Sequence, residues 1–120
     1  MITKTHRFHG RNSLRYVYQN GQTTRSPFFA IKSSLNPKRQ NYRAAVIISR
    51  KIHKSAVARN RLRRRIYEII RGLDKDIIKP YEIVLTIFSD QLIEESPKSL
   101  NRLIKKQLSE AGILAKRLPR

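Results

Sequence analysis

From Arg50 to Arg65 the chain places eight lysines and arginines and not one acid. A helix over the second half of that stretch repels itself, because no Asp or Glu appears before Glu68 to offset Arg59, Arg61, Arg63, Arg64 and Arg65. Such a segment is tolerable mainly if something polyanionic neutralises it, and nucleic-acid phosphate is the commonest partner of that kind. Arginine fills all five charged positions from 59 to 65. Its planar fork binds phosphate through two hydrogen bonds and stacks on bases, which a lysine cannot do. The plainer reading, a solvated charged face, leaves the repulsion unanswered. Charge alone does not separate RNA from DNA, since phosphate contacts hold no sequence information.

The rest of the charge is arranged the same way. The net charge is +19, from 27 basic and 8 acidic residues, and every acid lies at or after Glu68 whereas 17 of the 27 Lys and Arg precede it. Segregation of this kind favours a binding surface over general solubilisation. At 120 residues the chain is expected to be one RNA-binding domain, 1–120, with a single apolar core. Residues 1–6 and 113–120 are expected to be flexible. There is no cysteine, hence no disulfide, thiolate zinc site or Cys nucleophile. That fits a reducing cytoplasm, the expected location. The N-terminus leads into no apolar core of a signal peptide, and no apolar run is long enough to span a bilayer, so no membrane is expected. No catalytic constellation stands out: His6 and His9 lack a carboxylate partner, and Asp74, Asp76, Glu94 and Glu95 read as solvated loop acids. No catalytic or metal-binding residue is assigned to the protein, and no small-molecule cofactor is expected.

The periodicity gives an α+β order. Leu14, Val17 and Tyr18 predict a helix over 11–20, stopped by Gly21 in a left-handed cap. Phe28–Leu35 and Tyr42–Ser49 read as strands joined by a turn-rich loop, hence as an antiparallel hairpin. The near-continuous Ala44–Ile48 run predicts a central strand covered on both faces. Thr23 and Thr24 give a poor signal for a further short strand. Ser55 is an expected N-cap. Beyond it Leu62, Ile66, Ile69, Ile70 and Leu73 form an inward arc, and Asn60, Arg61, Arg64, Tyr67 and Glu68 the opposite side. Arg63 and Arg65 flank the arc, where their stems can lie over apolar surface. Tyr81–Phe88 is the strongest strand by propensity. Ser96-Pro97 starts a last helix, with Leu100, Leu103, Ile104, Leu108 and Ala111 inward and Gly112 as its end. Alternation puts Phe28, Ala30 and Lys32 on one strand face, a workable platform for a single strand through stacking and phosphate attraction.

Ser49-Arg50-Lys51-Ile52, followed by Ser55-Ala56-Val57-Ala58-Arg59-Asn60-Arg61-Leu62-Arg63-Arg64-Arg65-Ile66-Tyr67-Glu68, resembles the Arg-Asn-Arg signature of the protein subunit of bacterial ribonuclease P. Arg7-Phe8 before Leu14-x-x-Val17-Tyr18-x-x-Gly21 and Ser26-Pro27-Phe28 extends the likeness, which covers about residues 5–112. Departures are Arg50 for a usual Lys, His53-Lys54 in a turn that often holds Gly, Leu14 for a usual Phe, and Lys32 for a common aromatic. The resemblance implies a two-layer α/β sandwich, with a mixed four-stranded sheet and three helices in αβββαβα order. It also implies a left-handed crossover through the basic helix, where the general rule gives a right-handed one. It implies a partner in ribonuclease P RNA, which performs magnesium-dependent removal of the 5′ leader from precursor tRNA. Lys51, Arg59, Asn60, Arg61, Arg63 and Arg64 would face that RNA. Leu14, Tyr18, Phe28 and Lys32 would line a cleft for the single-stranded leader, and magnesium would be bound mainly by the RNA. A small structural ribosomal protein is the alternative that shares the charge and size.

Overall fold

The computed structural model of the chain describes residues 17, 19 and 21–114. Strand β1 is Gln22–Arg25, β2 Phe29–Leu35 and β3 Arg43–Ile48; helix α1 is Ala56–Gly72; β4 is Tyr81–Ile87; helix α2 is Pro97–Glu110. Short 3-10 turns, Asp74–Asp76 and Asp90–Glu94, precede β4 and α2. Val17 and Gln19 are helical. The remainder of the first expected helix, Leu14 and Tyr18 included, lies outside the described residues.

The four strands form one mixed sheet in the order β1-β2-β4-β3. β2 runs antiparallel to β4, from Phe29 opposite Ile87 to Leu35 opposite Tyr81. β3 runs parallel to β4, from Arg43 opposite Glu82 to Ile48 opposite Ile87. The expected β2–β3 hairpin is therefore absent: β4 enters between them, and β3 is an edge strand rather than a central one. The centre belongs to β4, whose Glu82, Ile83, Val84 and Leu85 are all buried. β3 is apolar because both of its faces are covered, not because it has two neighbours. One face carries Ala44, Val46 and Ile48 into the main core. On the other, Ala45 packs with Val84 and the fully buried Val17, with Ile47 alongside.

Alternation along the strands puts Phe29, Ile31, Ile83, Leu85 and Ile87 on the face that meets both helices. α1 supplies Leu62, Ile66 and Ile70 to this core, and α2 supplies Leu100, Ile104 and Leu108. Full burial of each such side chain is worth about 1.5–3 kcal/mol. The helix ends follow local chemistry. Ser55 Oγ accepts the Ala58 N–H at 3.2 Å, and Ser96 Oγ accepts the Ser99 N–H at 3.2 Å with Pro97 next in line. Gly112, at φ 75°, terminates α2 in the left-handed region. Ile113 follows it back into the core, 2 % exposed, so the chain expected to loosen at 113 is still packed there.

Two sequence expectations change for identifiable reasons. Tyr67, assigned to the outward side of α1, is buried, and its hydroxyl accepts the Val46 N–H at 3.1 Å. Arg63 Nε reaches the Val46 carbonyl at 3.4 Å. Together they satisfy the backbone N–H and C=O of Val46, on the outer side of β3. Gly21 lies outside the left-handed region. Its N–H donates to Val17 O at 2.7 Å, and a Cβ there would come within 2.5 Å of that oxygen and 2.9 Å of Ser33 O. Close approach of backbone, not a positive φ, selects glycine. Gly21→Ala is expected to lower stability by about 1–3 kcal/mol, the usual scale of overpacking. Urea unfolding measures it, and an unchanged midpoint would show that the backbone yields freely.

Candidate nucleic-acid interface

The loop from Ser49 to Lys54 and the first turns of α1 build the cationic surface. Ile52 anchors the loop by packing partly against the main core, and its N–H donates to Ser49 O at 3.1 Å. His53 Nδ1 accepts the Ser55 N–H at 3.1 Å. Arg59 turns back over this loop, giving Nη1–H to His53 O at 2.7 Å and to Lys54 O at 3.1 Å. Lys51 stands exposed on the loop that Arg59 braces.

The arginines of α1 divide by what they touch. Arg63, half-buried, holds Val46 O and donates Nη1–H to Asn60 Oδ1 at 2.5 Å. Arg65, which the sequence did not single out as a site residue, donates Nη2–H to Glu95 O at 2.7 Å and Nη1–H to Ile93 O at 3.4 Å. It ties α1 to the segment leading into α2. Arg61 and Arg64 are exposed. Arg61 has no side-chain partner among the described residues, and Arg64 makes only a 3.4 Å contact with Asn60 O. The ion pairs found among the described residues are Arg43–Glu82 and Arg71–Glu68, so none of Arg59, Arg61, Arg63, Arg64 and Arg65 is neutralised by a carboxylate there. Arg59, Arg63 and Arg65 thus hold the helix in place by hydrogen bonds to carbonyls, while Arg61, Arg64, Asn60 and Lys51 face outward. Val57, 75 % exposed, lies one turn before Arg61.

On the opposite face of the sheet, Val17 covers Ala45 and Val84. The face continues past it over β2 and β1, where Ala30 and Lys32 are half-buried and Thr23 and Arg25 are exposed. Lys32 lies opposite Val84 on one side and Thr23 on the other. Phe28, just before β2, is half-buried and packs in part against the main core on the helix side, not with Ala30 and Lys32 as strand alternation predicts. Leu14 and Tyr18 lie outside the described residues.

The sequence also passed over a buried polar group. Glu82, 2 % exposed, accepts from Arg43 Nη2 at 2.7 Å, from Arg43 Nε at 3.0 and 3.1 Å, and from Asn36 Nδ2 at 3.0 Å. The signal available was an acid inside the most strand-like run of the chain. Tyr42 donates to Asp74, and burial first, then this bond, push its phenol far above the ordinary range. Several of the chain's carboxylates are engaged in this way, and no group of three or more His, Asp or Glu among the described residues could hold a metal ion. No helix among the described residues is long and apolar enough to cross a membrane.

Comparison with known proteins finds one family and its fold. The family model described as Ribonuclease P matches residues 2–112. The ribonuclease P protein component of Cyanothece sp. is 29% identical, over 95% of this chain and 98% of its own length. That of Chloroflexus aurantiacus is 31% identical, over 94% of this chain and 82% of its own. Among solved structures, a Staphylococcus aureus RNase P protein mutant with defective mRNA degradation activity superposes with a TM-score of 0.85, at 18% identity and 92% coverage of both chains. The RNase P protein from Thermotoga maritima gives 0.73, at 21% identity over 84% of this chain and 94% of its own.

Proposed function

Because the chain belongs to the Ribonuclease P family, we propose that it is the protein subunit of a ribonucleoprotein endonuclease that removes the 5′ leader of precursor tRNA. The observation that supports this best is the division of labour on α1. Arg61 and Arg64 face outward without a carboxylate partner, on a helix that three sister arginines lock to the body of the protein. Cations on a helix already locked in place meet phosphate with no further cost of ordering the backbone.

On this reading Lys51, Asn60, Arg61 and Arg64 contact the folded RNA subunit directly. Arg59 and Arg63 set the loop and the helix that present them. The RNA performs the hydrolysis, with magnesium held mainly by RNA oxygens and not by this chain. The protein's share is differential binding: it neutralises crowded phosphates and grips a leader that only the precursor possesses. The leader runs over the β1–β2 part of the sheet, past Lys32 and Phe28, with Leu14 and Tyr18 as further leader contacts. The crossover from β3 through α1 to β4 is left-handed, and the protein works in the cytoplasm.

The test is cleavage of precursor tRNA by a cognate RNA subunit, with and without the protein, across magnesium concentrations. Stimulation greatest at low magnesium is expected, together with tighter binding of precursor than of mature tRNA. No stimulation, with co-purification on ribosomal subunits, would instead favour a ribosomal protein.

A further inference from the structure

An aromatic and a guanidinium meet at one end of the sheet, on the face away from the two described helices. The Arg25 guanidinium lies over the Phe88 ring, 5.4 Å from its centroid. Arg25 is the last residue of β1 and Phe88 follows the last residue of β4, two strands away. The pair spans β2 at about 4.8 Å per strand step. Even under the guanidinium, Phe88 remains 37 % exposed, one of few large apolar side chains so placed among the described residues. Arg25 has no carboxylate partner among the described residues.

The frame that holds the pair is stiff. Ser26 N–H donates to Phe29 O at 2.9 Å, and Ser26 Oγ accepts from the N–H of Phe28 at 3.3 Å and of Phe29 at 3.2 Å. Phe88 N–H donates to Phe28 O at 3.1 Å. The turn after Arg25 is therefore tied to the strand before Phe88, and neither residue depends on a mobile loop for its position. The place in the fold matters as well. β3 runs parallel to β4 with Ile48 opposite Ile87, so Ser49, Arg50 and Lys51 leave the sheet at the same end. The pair thus stands between the open β1–β2 surface and the cationic loop that leads to Arg59.

Given the leader-binding reading above, we propose that Arg25 and Phe88 form a one-nucleotide stacking step for single-stranded RNA, at the point where the leader passes from the sheet toward the cationic loop. The base stacks on the ring–guanidinium pair, and the edge of the guanidinium takes an adjoining phosphate. Every base has a π-face, so the step fixes the register of the strand while tolerating any base. A guanidinium that merely shields an exposed ring would make no difference to one nucleotide over its neighbours.

The experiment is abasic scanning of a precursor leader, read as affinity of the reconstituted complex for each substrate. With the wild-type protein, removing the base at one leader position should weaken binding by about fivefold to a hundredfold. With Phe88→Ala that position-specific loss should vanish, and Phe88→Tyr should restore it. Arg25→Ala should reduce the loss and also flatten the salt dependence by roughly one unit. A uniform response to every abasic position in both proteins would overturn the step, as would an unchanged profile in Phe88→Ala. Mature tRNA separates the two readings. If the wild type prefers precursor and the profile is flat, only the stacking step fails; if it shows no preference, leader binding itself fails.

Discussion

Arg43→Ala is expected to destabilise the protein by about 3–5 kcal/mol, the usual consequence of stranding a buried charge. Glu82 is 2 % exposed and receives three of its hydrogen-bond contacts from Arg43 and one from Asn36. Removing the guanidinium leaves a carboxylate inside the central strand with a single amide for company. A loss of that size approaches the whole stability of many domains of this length. Urea unfolding measures it directly. The paired variant Arg43→Met with Glu82→Leu should recover most of the loss, because both charges then leave the interior together. Should Arg43→Ala unfold at the wild-type denaturant concentration, Glu82 has water or another cation within reach and the pair is not what secures that end of the sheet.

The second large effect is on binding. Replacing both Arg61 and Arg64 by alanine is expected to weaken affinity for the RNA subunit on the order of a hundredfold or more, at two charged hydrogen bonds lost. The slope of log affinity against log salt should fall by roughly one unit per arginine. Thermal stability should be unchanged or slightly raised, since both side chains are exposed and like-charged. Arg63→Ala is the contrasting variant. It removes the contacts to Val46 O and Asn60 Oδ1, so its main cost should appear in unfolding and not in the salt slope. An unchanged slope in the double variant would mean that RNA approaches another face.

The local elements were largely legible in the sequence. Both N-caps, the inward arcs of α1 and α2, and the β4 strand stand where capping chemistry and apolar spacing put them. What escaped was information that no local window holds. The near-continuous apolar run of β3 states that both faces are covered, but not whether two strands flank it. Its cover on one face is Val17 and on the other the helical core, and both are distant in sequence. Tyr67 reads as outward on a helical wheel because a wheel does not contain the Val46 N–H that its hydroxyl satisfies. Gly21 shows the same limit, since one of the two oxygens that exclude a side chain belongs to Ser33, across the β1–β2 pair. At the interface, the charge density was plain from the residues alone. Its partition was not: only the carbonyls of His53, Val46 and Glu95 reveal which arginines brace the protein and which are left for phosphate.

The backbone N–H and C=O of Val46, held by Tyr67 and Arg63, have a bearing on how the protein tolerates its own concentration. The most hydrophobic margin of the sheet is stoppered at its middle from within, which blunts it as a template for adding a strand. The other margin is β1, four residues long, mostly exposed, and cut short by Ser26-Pro27. Strand addition is therefore hindered at the middle of one margin and limited to a short strand at the other, in a sheet whose core is rich in Ile and Val.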